Sequence, residues 1–131
     1  SDWHRKRLNN ANCIWSHAQK CKRLRVPIIP NYIEHAAYKC YVFVNGDFKL
    51  RNKMMSEINK KGVPCFSGSC SEVYLEKAFE NTELRPKERL LIAKELGETS
   101  LMFLVHPTLT EKEIKKTCDV LMEVALGNYD C

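Results

Sequence analysis

The pattern of apolar and polar residues is clearest towards the C-terminal end, where an unbroken apolar run precedes an amphipathic stretch. The run extends from Leu101 to Val105, and Pro107 follows it two residues later. A run of this length is too short for a typical helix and is typical of a strand covered on both faces or nearly so. Because proline cannot donate to a strand ladder, we predict a buried strand that ends before Pro107.

The amphipathic stretch that follows predicts the last helix. Thr110 and Glu113 have the spacing of a capping box, in which the hydroxyl accepts from the amide three residues on and the carboxylate reaches back. Apolar residues then recur at helical spacing, at Ile114, Cys118, Leu121 and Ala125. Gly127 predicts a left-handed end to this helix.

The rest of the pattern predicts alternating helices and strands. Residues 37–44 alternate and are rich in aromatic and β-branched side chains, which is typical of a strand. The loop before them is too short to hold a crossover helix. We therefore predict an α+β two-layer fold with a small antiparallel or mixed sheet and helices packed on one face. The predicted helices cover residues 2–24, 50–62, 73–79, 86–97 and 110–126, and the predicted strands cover 25–29, 37–44, 63–66 and 101–105.

The first predicted helix, residues 2–24, is long and mostly polar. Its apolar stripe is narrow and consists of Trp3, Leu8, Ala11 and Trp15. A helix this polar depends for its stability on the surface against which its apolar stripe packs. We predict that this surface lies partly outside the chain, in another domain or in a second copy of the chain.

Composition excludes several classes of protein. The chain has 131 residues, of which 44% are hydrophobic and 28% charged, as in an ordinary globular domain. Its net charge of +5 is spread along the sequence, whereas a nucleic-acid-binding protein gathers basic residues into a stripe. No apolar segment approaches the roughly 20 residues of a membrane span. We therefore expect a cytoplasmic protein that binds neither nucleic acid nor membrane, with no signal peptide or anchor.

The seven cysteines do not form an extracellular disulfide pattern, because their number is odd. Several fall inside predicted helices or strands, where a free thiol behaves as a small apolar group. Cys13, His17 and Cys21 share one helix face, but eight residues of helix rise about 12 Å and metal–ligand bonds measure about 2.0–2.3 Å. The three cannot share one ion, although a pair could contribute. No second ligand pair at finger spacing is present, so we predict no metal site.

No complete catalytic set emerges from these residues. The small-residue loop Ser67–Ser71 follows a strand and precedes a helix, an arrangement that exposes backbone amides to a ligand. It lacks the lysine and the glycine spacing of a P-loop. The pattern therefore favours a substrate-facing loop in an α/β domain and leaves the activity open.

Several segments together resemble the C-terminal domain of the DegT/DnrJ/StrS family of pyridoxal-phosphate-dependent sugar aminotransferases. The resemblance spans nearly the whole chain, and its last motif is the most specific. The loop after the third strand departs from the family, which commonly has His, Tyr and Pro there. The segments that carry the resemblance are His35–Phe43, Arg51–Val63, Tyr74, Ala93–Leu101 and the run His106–Glu111.

The resemblance implies that residues 1–24 are an interdomain helix and residues 25–131 a small domain that caps the cofactor site and lines its substrate side. It places the Schiff-base lysine, the acidic partner and the phosphate cup in a large N-terminal domain. No lysine of this chain is assigned as catalytic, and the isolated chain is expected to be inactive and to bind no pyridoxal phosphate. The implied substrate-binding residues are Phe66, Ser67, Gly68, Ser69, Cys70 and Tyr74.

The partners implied by the resemblance are the large domain, a sugar substrate and a second subunit in a homodimer. The alternative is a free-standing small-molecule-binding or regulatory α/β module. Such a module would keep a polar outer face on its first helix, without tryptophans that lack a partner. Trp3 and Trp15 therefore favour the aminotransferase domain.

Overall fold

Residues 2–129, which the computed structural model describes, form four α-helices and one four-stranded sheet. Two short 3₁₀ turns, Val73–Leu75 and Lys77–Phe79, replace the single helix predicted for residues 73–79, because the backbone of Glu76 between them is extended. The helices are α1 (Asp2–Ala18), α2 (Phe48–Lys60), α3 (Leu91–Thr99) and α4 (Glu111–Ala125), and the strands are β1 (Leu24–Arg25), β2 (Cys40–Val44), β3 (Cys65–Phe66) and β4 (Ser100–Phe103).

The sheet has the order β1-β2-β4-β3 and every neighbouring pair is antiparallel. Because side chains alternate along a strand, this register separates an inner face from an outer face. The inner face is buried and packs with α1, α2 and α4 into one core. This arrangement confirms the predicted α+β fold with helices on one face of a small sheet. The inner-face residues are Leu24, Cys40, Val42, Val44, Cys65, Leu101 and Phe103.

The last helix begins as predicted but ends differently. Thr110 and Glu113 form the full capping box, and the predicted apolar stripe of α4 is buried. The left-handed end predicted at Gly127 is wrong, because Leu126 keeps a right-handed conformation and the amide of Gly127 donates to the carbonyl of Val124. Arg23 donates to the carbonyls of Ala125 and Gly127, at 2.6 and 2.7 Å, and so satisfies the open end of the helix.

The first helix is shorter than predicted, since α1 ends at Ala18 and not near Leu24. A tight turn follows, and Leu24 then pairs with Val44 in the sheet. The amide of Asn45 also donates to the carbonyl of Arg23, at 2.7 Å. Pairing with β2 therefore turns the chain away from the helical path that its local sequence permits.

The start of β2 and both ends of α3 also differ from prediction. Ala37 has a left-handed backbone with φ of 48°, so extended pairing begins only at Cys40. Pro86 does not start α3, because the amide of Leu90 is held by the hydroxyl of Tyr74 at 2.9 Å and the helix begins after it. Gly97 lies inside α3 and does not end it.

Most of the apolar stripe of α1 has its partner within this chain. Ala11 and Trp15 are buried against the sheet and α4, and the indole nitrogen of Trp15 donates to the carbonyl of Tyr41 at 2.9 Å. Ala11 and Trp15 therefore need no surface outside the chain, and the prediction of a partly external surface stays a prediction for Trp3 alone. Trp3 is the exception, because 59% of it is exposed and it contacts His106 edge-on.

Candidate substrate-binding loop

The loop Ser67–Ser71 connects β3 to the first 3₁₀ turn and is fastened to the sheet by hydrogen bonds. The hydroxyl of Ser100 donates to the carbonyl of Ser67 at 2.6 Å. The amide of Ser69 donates to the hydroxyl of Tyr41 at 3.1 Å, and the ammonium of Lys39 donates to the hydroxyl of Ser69 at 2.6 Å. Two strands other than β3 therefore set the position of this loop.

Gly68 allows the loop to approach the sheet closely. Its φ is +91°, and a Cβ at this position would overlap the ring of Tyr41. A residue with a side chain would be strained in this conformation and would push the loop away from Tyr41. The glycine is thus needed both for its backbone conformation and for the contact.

The outer face of the sheet supplies an aromatic surface beside the loop. Tyr41 stacks on Phe43 with ring centroids 6.3 Å apart, and the guanidinium of Arg25 lies 4.6 Å from the centroid of the Phe43 ring. Phe66 is on the same face and is 47% exposed. Phe66, one of the predicted substrate-binding residues, therefore presents apolar surface to solvent next to the hydroxyls of Ser67 and Ser69.

A cavity of about 330 Å³ lies between the loop and the segment that contains Arg89, Lys94 and Glu98. At the margin of this cavity, Glu72 accepts two hydrogen bonds from Arg89, both 2.7 Å long. The bonds from Arg89 hold the pKa of Glu72 at about 2, well below its ordinary value. The cavity thus combines loop hydroxyls and backbone groups with side chains of both charges.

Tyr74 has a different position from the other predicted site residues. Its ring is buried. Its hydroxyl donates to the carboxylate of Glu72 at 2.8 Å and accepts from the amide of Leu90 at 2.9 Å. These bonds orient the Glu72 carboxylate and the start of α3. In this structure, Tyr74 therefore supports the cavity wall, residues 67–71 line the cavity, and Phe66 lies outside its lining.

Two lysines have ion-pair partners that make them unsuitable for covalent chemistry with a carbonyl group. The pKa values of Lys61 and Lys115 are raised by their hydrogen bonds to Glu123 and Asp119. A lysine that forms a Schiff base at neutral pH has a lowered pKa instead. We therefore assign no catalytic step to Lys61 or Lys115.

Sequence reasoning located the loop but missed the residues that hold it. Lys39, Tyr41 and Ser100 are distant from the loop in sequence and contact it through the sheet. One signal was available, because the alternation in β2 places Tyr41 on the face opposite to the buried Val42. The pairing of Arg89 with Glu72 had no such signal, since it bridges 17 positions of irregular chain.

The Glu72–Arg89 pair predicts an acid-sensitive segment. Because folding lowers the pKa of Glu72 from 4.5 to about 2, the pair stabilises the fold above the ordinary pKa, and that contribution is lost as the pH falls from 4.5 towards 2. Glu72→Gln should remove this part of the pH dependence of the free energy of unfolding, as measured by urea denaturation between pH 4.5 and pH 2. The exposed Glu83 provides the control, and equal pH dependence of Glu72→Gln and Glu83→Gln would contradict the assignment.

No family model matches the chain, and no curated protein matches it. Several solved structures do match the chain. The aminotransferase from Psychrobacter cryohalolentis is 50% identical, with a TM-score of 0.83 over 94% of this chain and 34% of that one. A DegT DnrJ EryC1 StrS aminotransferase from Brucella abortus is 17% identical, with a TM-score of 0.79 over 96% of this chain and 32% of that one. This chain is therefore similar in sequence and fold to about a third of an aminotransferase, and it shares its fold with a DegT DnrJ EryC1 StrS aminotransferase.

A further match is NtdA from Bacillus subtilis with bound cofactor PMP, which is 16% identical, with a TM-score of 0.70 over 94% of this chain and 28% of that one. The chain spans about a third of the length of the aminotransferases it matches. Its fold is that of an aminotransferase small domain, as the resemblance implied. Within residues 2–129, no helix is long and apolar enough to cross a membrane.

Proposed function

We propose that this chain is the C-terminal small domain of a pyridoxal-phosphate-dependent sugar aminotransferase, in which it caps the cofactor site and lines the substrate side. The observation that carries the proposal is the match to the Psychrobacter cryohalolentis aminotransferase, which combines high sequence identity with the same fold over nearly the whole chain. The loop described above is the part of this fold best suited to contact a substrate.

In the proposed enzyme the two domains have different tasks. Pyridoxal phosphate supplies an electron sink for amino transfer when it is bound, and the groups that hold it belong to a large N-terminal domain. Residues 66–70 of the small domain face the sugar, and Tyr74 keeps Glu72 and the wall of the cavity in position. The enzyme is a cytoplasmic homodimer in this proposal, and the exposed Trp3 of α1 is available for a contact with the large domain or the second subunit.

The chemistry of the loop suits a sugar. A sugar presents several hydroxyl groups and an apolar ring face, and binding sites for such ligands combine apolar surface with a few placed polar groups. Phe66 offers exposed aromatic surface, while Ser67 and Ser69 add hydroxyls and Gly68 exposes backbone. Lys39 and Tyr41 hold these groups in a fixed arrangement before a ligand arrives.

The proposal is tested by a domain exchange. The matching third of the Psychrobacter cryohalolentis aminotransferase is replaced by this chain, and the chimera is assayed for amino transfer with that enzyme's own substrates and for the visible absorbance of bound pyridoxal phosphate. We expect a folded chimera that binds the cofactor and transfers amino groups. A folded chimera that binds the cofactor but transfers nothing with any sugar tested would contradict the proposal.

The chimera also tests the loop. Ser67→Leu and Ser69→Leu should each raise KM about tenfold, a loss of about 1.4 kcal/mol of binding, because each change removes a hydroxyl and narrows the substrate side. The cofactor absorbance should stay unchanged. Ser56→Leu, on the exposed side of α2, is the matched control. Unchanged KM in both loop variants would remove residues 66–70 from the substrate site.

A further inference from the structure

Helices α1 and α4 pack side by side and bring three metal-binding side chains together. The sulfur atoms of Cys13 and Cys118 and a ring nitrogen of His17 all lie within 4.8 Å of one another. Cys13 and His17 are one helical turn apart on α1, and Cys118 faces them from α4. The cluster is separate from the loop described above and does not depend on the proposed aminotransferase function.

We propose that Cys13, His17 and Cys118 bind one Zn²⁺ ion. Thiolate and imidazole are the groups that zinc prefers in proteins, and two cysteines with one histidine are a known three-ligand set for zinc with an open fourth position. The structure brings the two helices into contact at this point, so the set consists of an i, i+4 pair from one helix and a single ligand from another.

The distance between the sulfur atoms suits a shared ion. Cys13 Sγ and Cys118 Sγ are 3.6 Å apart. Two zinc–sulfur bonds of about 2.3 Å at a tetrahedral angle would place the sulfur atoms about 3.8 Å apart. The two side chains therefore already have almost the separation that tetrahedral coordination needs.

The tautomer of His17 is also suitable for binding a metal ion. Its Nδ1 lies 2.8 Å from the carbonyl oxygen of Cys13, and because a carbonyl oxygen can only accept, Nδ1 carries the proton. Nε2 then has a free lone pair. A hydrogen bond from the second ring nitrogen to a backbone carbonyl is a common way in which proteins orient metal-binding histidines.

A cavity provides both an entry path and room for a fourth ligand. It has a volume of about 600 Å³, and all three proposed ligands line it. The charged side chains on its walls are Lys6, Glu111 and Lys115. Water can thus reach the ion through this cavity.

Charge balances in the complex. Coordination releases one proton from each cysteine to solvent, and two thiolates with neutral imidazole offset the charge of Zn²⁺. No oxidation or reduction takes place.

The test uses Co²⁺ as a spectroscopic substitute for Zn²⁺, added to the 131-residue chain with its thiols kept reduced by a phosphine. We expect one equivalent to produce thiolate-to-cobalt charge-transfer absorption and the visible bands of four-coordinate cobalt, and one equivalent of Zn²⁺ to abolish both. Zn²⁺ should also raise Tm, because an ion that binds only the folded state stabilises it.

The variants Cys13→Ala and His17→Gln should lose the cobalt bands and the rise in Tm while keeping their helical circular dichroism. Both residues are only half-buried, so the fold should tolerate these changes. Cys70→Ser, at the exposed thiol of the substrate loop, is the matched control and should bind as the unchanged chain does. Absence of charge-transfer absorption at one equivalent, or its persistence in both variants, would overturn the proposal.

Discussion

Trp15→Ala should lower the free energy of unfolding by about 3–5 kcal/mol, the usual cost of removing a large aromatic side chain from a core. Only 7% of Trp15 is exposed, and it packs among the buried residues of α1 and the sheet. The change also leaves the carbonyl of Tyr41 without the 2.9 Å hydrogen bond from the indole. Chemical denaturation of the isolated chain measures the effect.

Trp3→Ala is the matched control, because it removes the same side chain from the same helix. Trp3 is 59% exposed, so its removal should change stability by less than about 1 kcal/mol. Equal effects of the two variants would show that the orientation of α1 differs from the one described. Trp15→Glu, which would separate two subunits if the stripe were an interface, should instead unfold the chain by burying a charge in its core.

Arg51→Met should destabilise the chain by about 1–3 kcal/mol for each buried carbonyl that it leaves unsatisfied. Arg51 is buried, and its guanidinium donates to the carbonyl of Ser100 at 2.9 Å and to that of Gly97 at 3.2 Å. Both acceptors belong to the junction of α3 and β4. Methionine keeps much of the volume of the arginine side chain but offers no donor.

The effect of Arg51→Met should extend to the loop Ser67–Ser71. Ser100 donates to the carbonyl of Ser67, so movement of the α3–β4 junction displaces the anchor of the loop. Hydrogen exchange of the amide of Ser69 should therefore become faster in Arg51→Met. The exposed Lys49 on the same helix gives the control Lys49→Met, which should change neither stability nor exchange. A stable Arg51→Met with normal exchange would rule out this coupling.

The sequence determined those features whose cause lies within a few residues. The capping box of Thr110 and Glu113 spans one helical turn, and the alternation of β2 follows from the geometry of an extended chain. That Ser67–Ser71 forms a loop was also predictable, because a cluster of serine and glycine residues disfavours the interior of a helix or a strand. The order of these elements also followed from the pattern, and the resemblance to the aminotransferases added the expectation of a small domain.

Tertiary structure decided what depends on contacts between distant parts of the chain. The end of α1 follows from pairing of Leu24 with Val44, and local helix preference carries no information about that pairing. Cys21 is the next metal-ligating side chain after Cys13 and His17 in sequence, yet α1 ends at Ala18, so Cys21 lies beyond the helix that carries the other two. Cys118 takes that place from 105 positions away, because the apolar stripes of α1 and α4 must pack together to leave water.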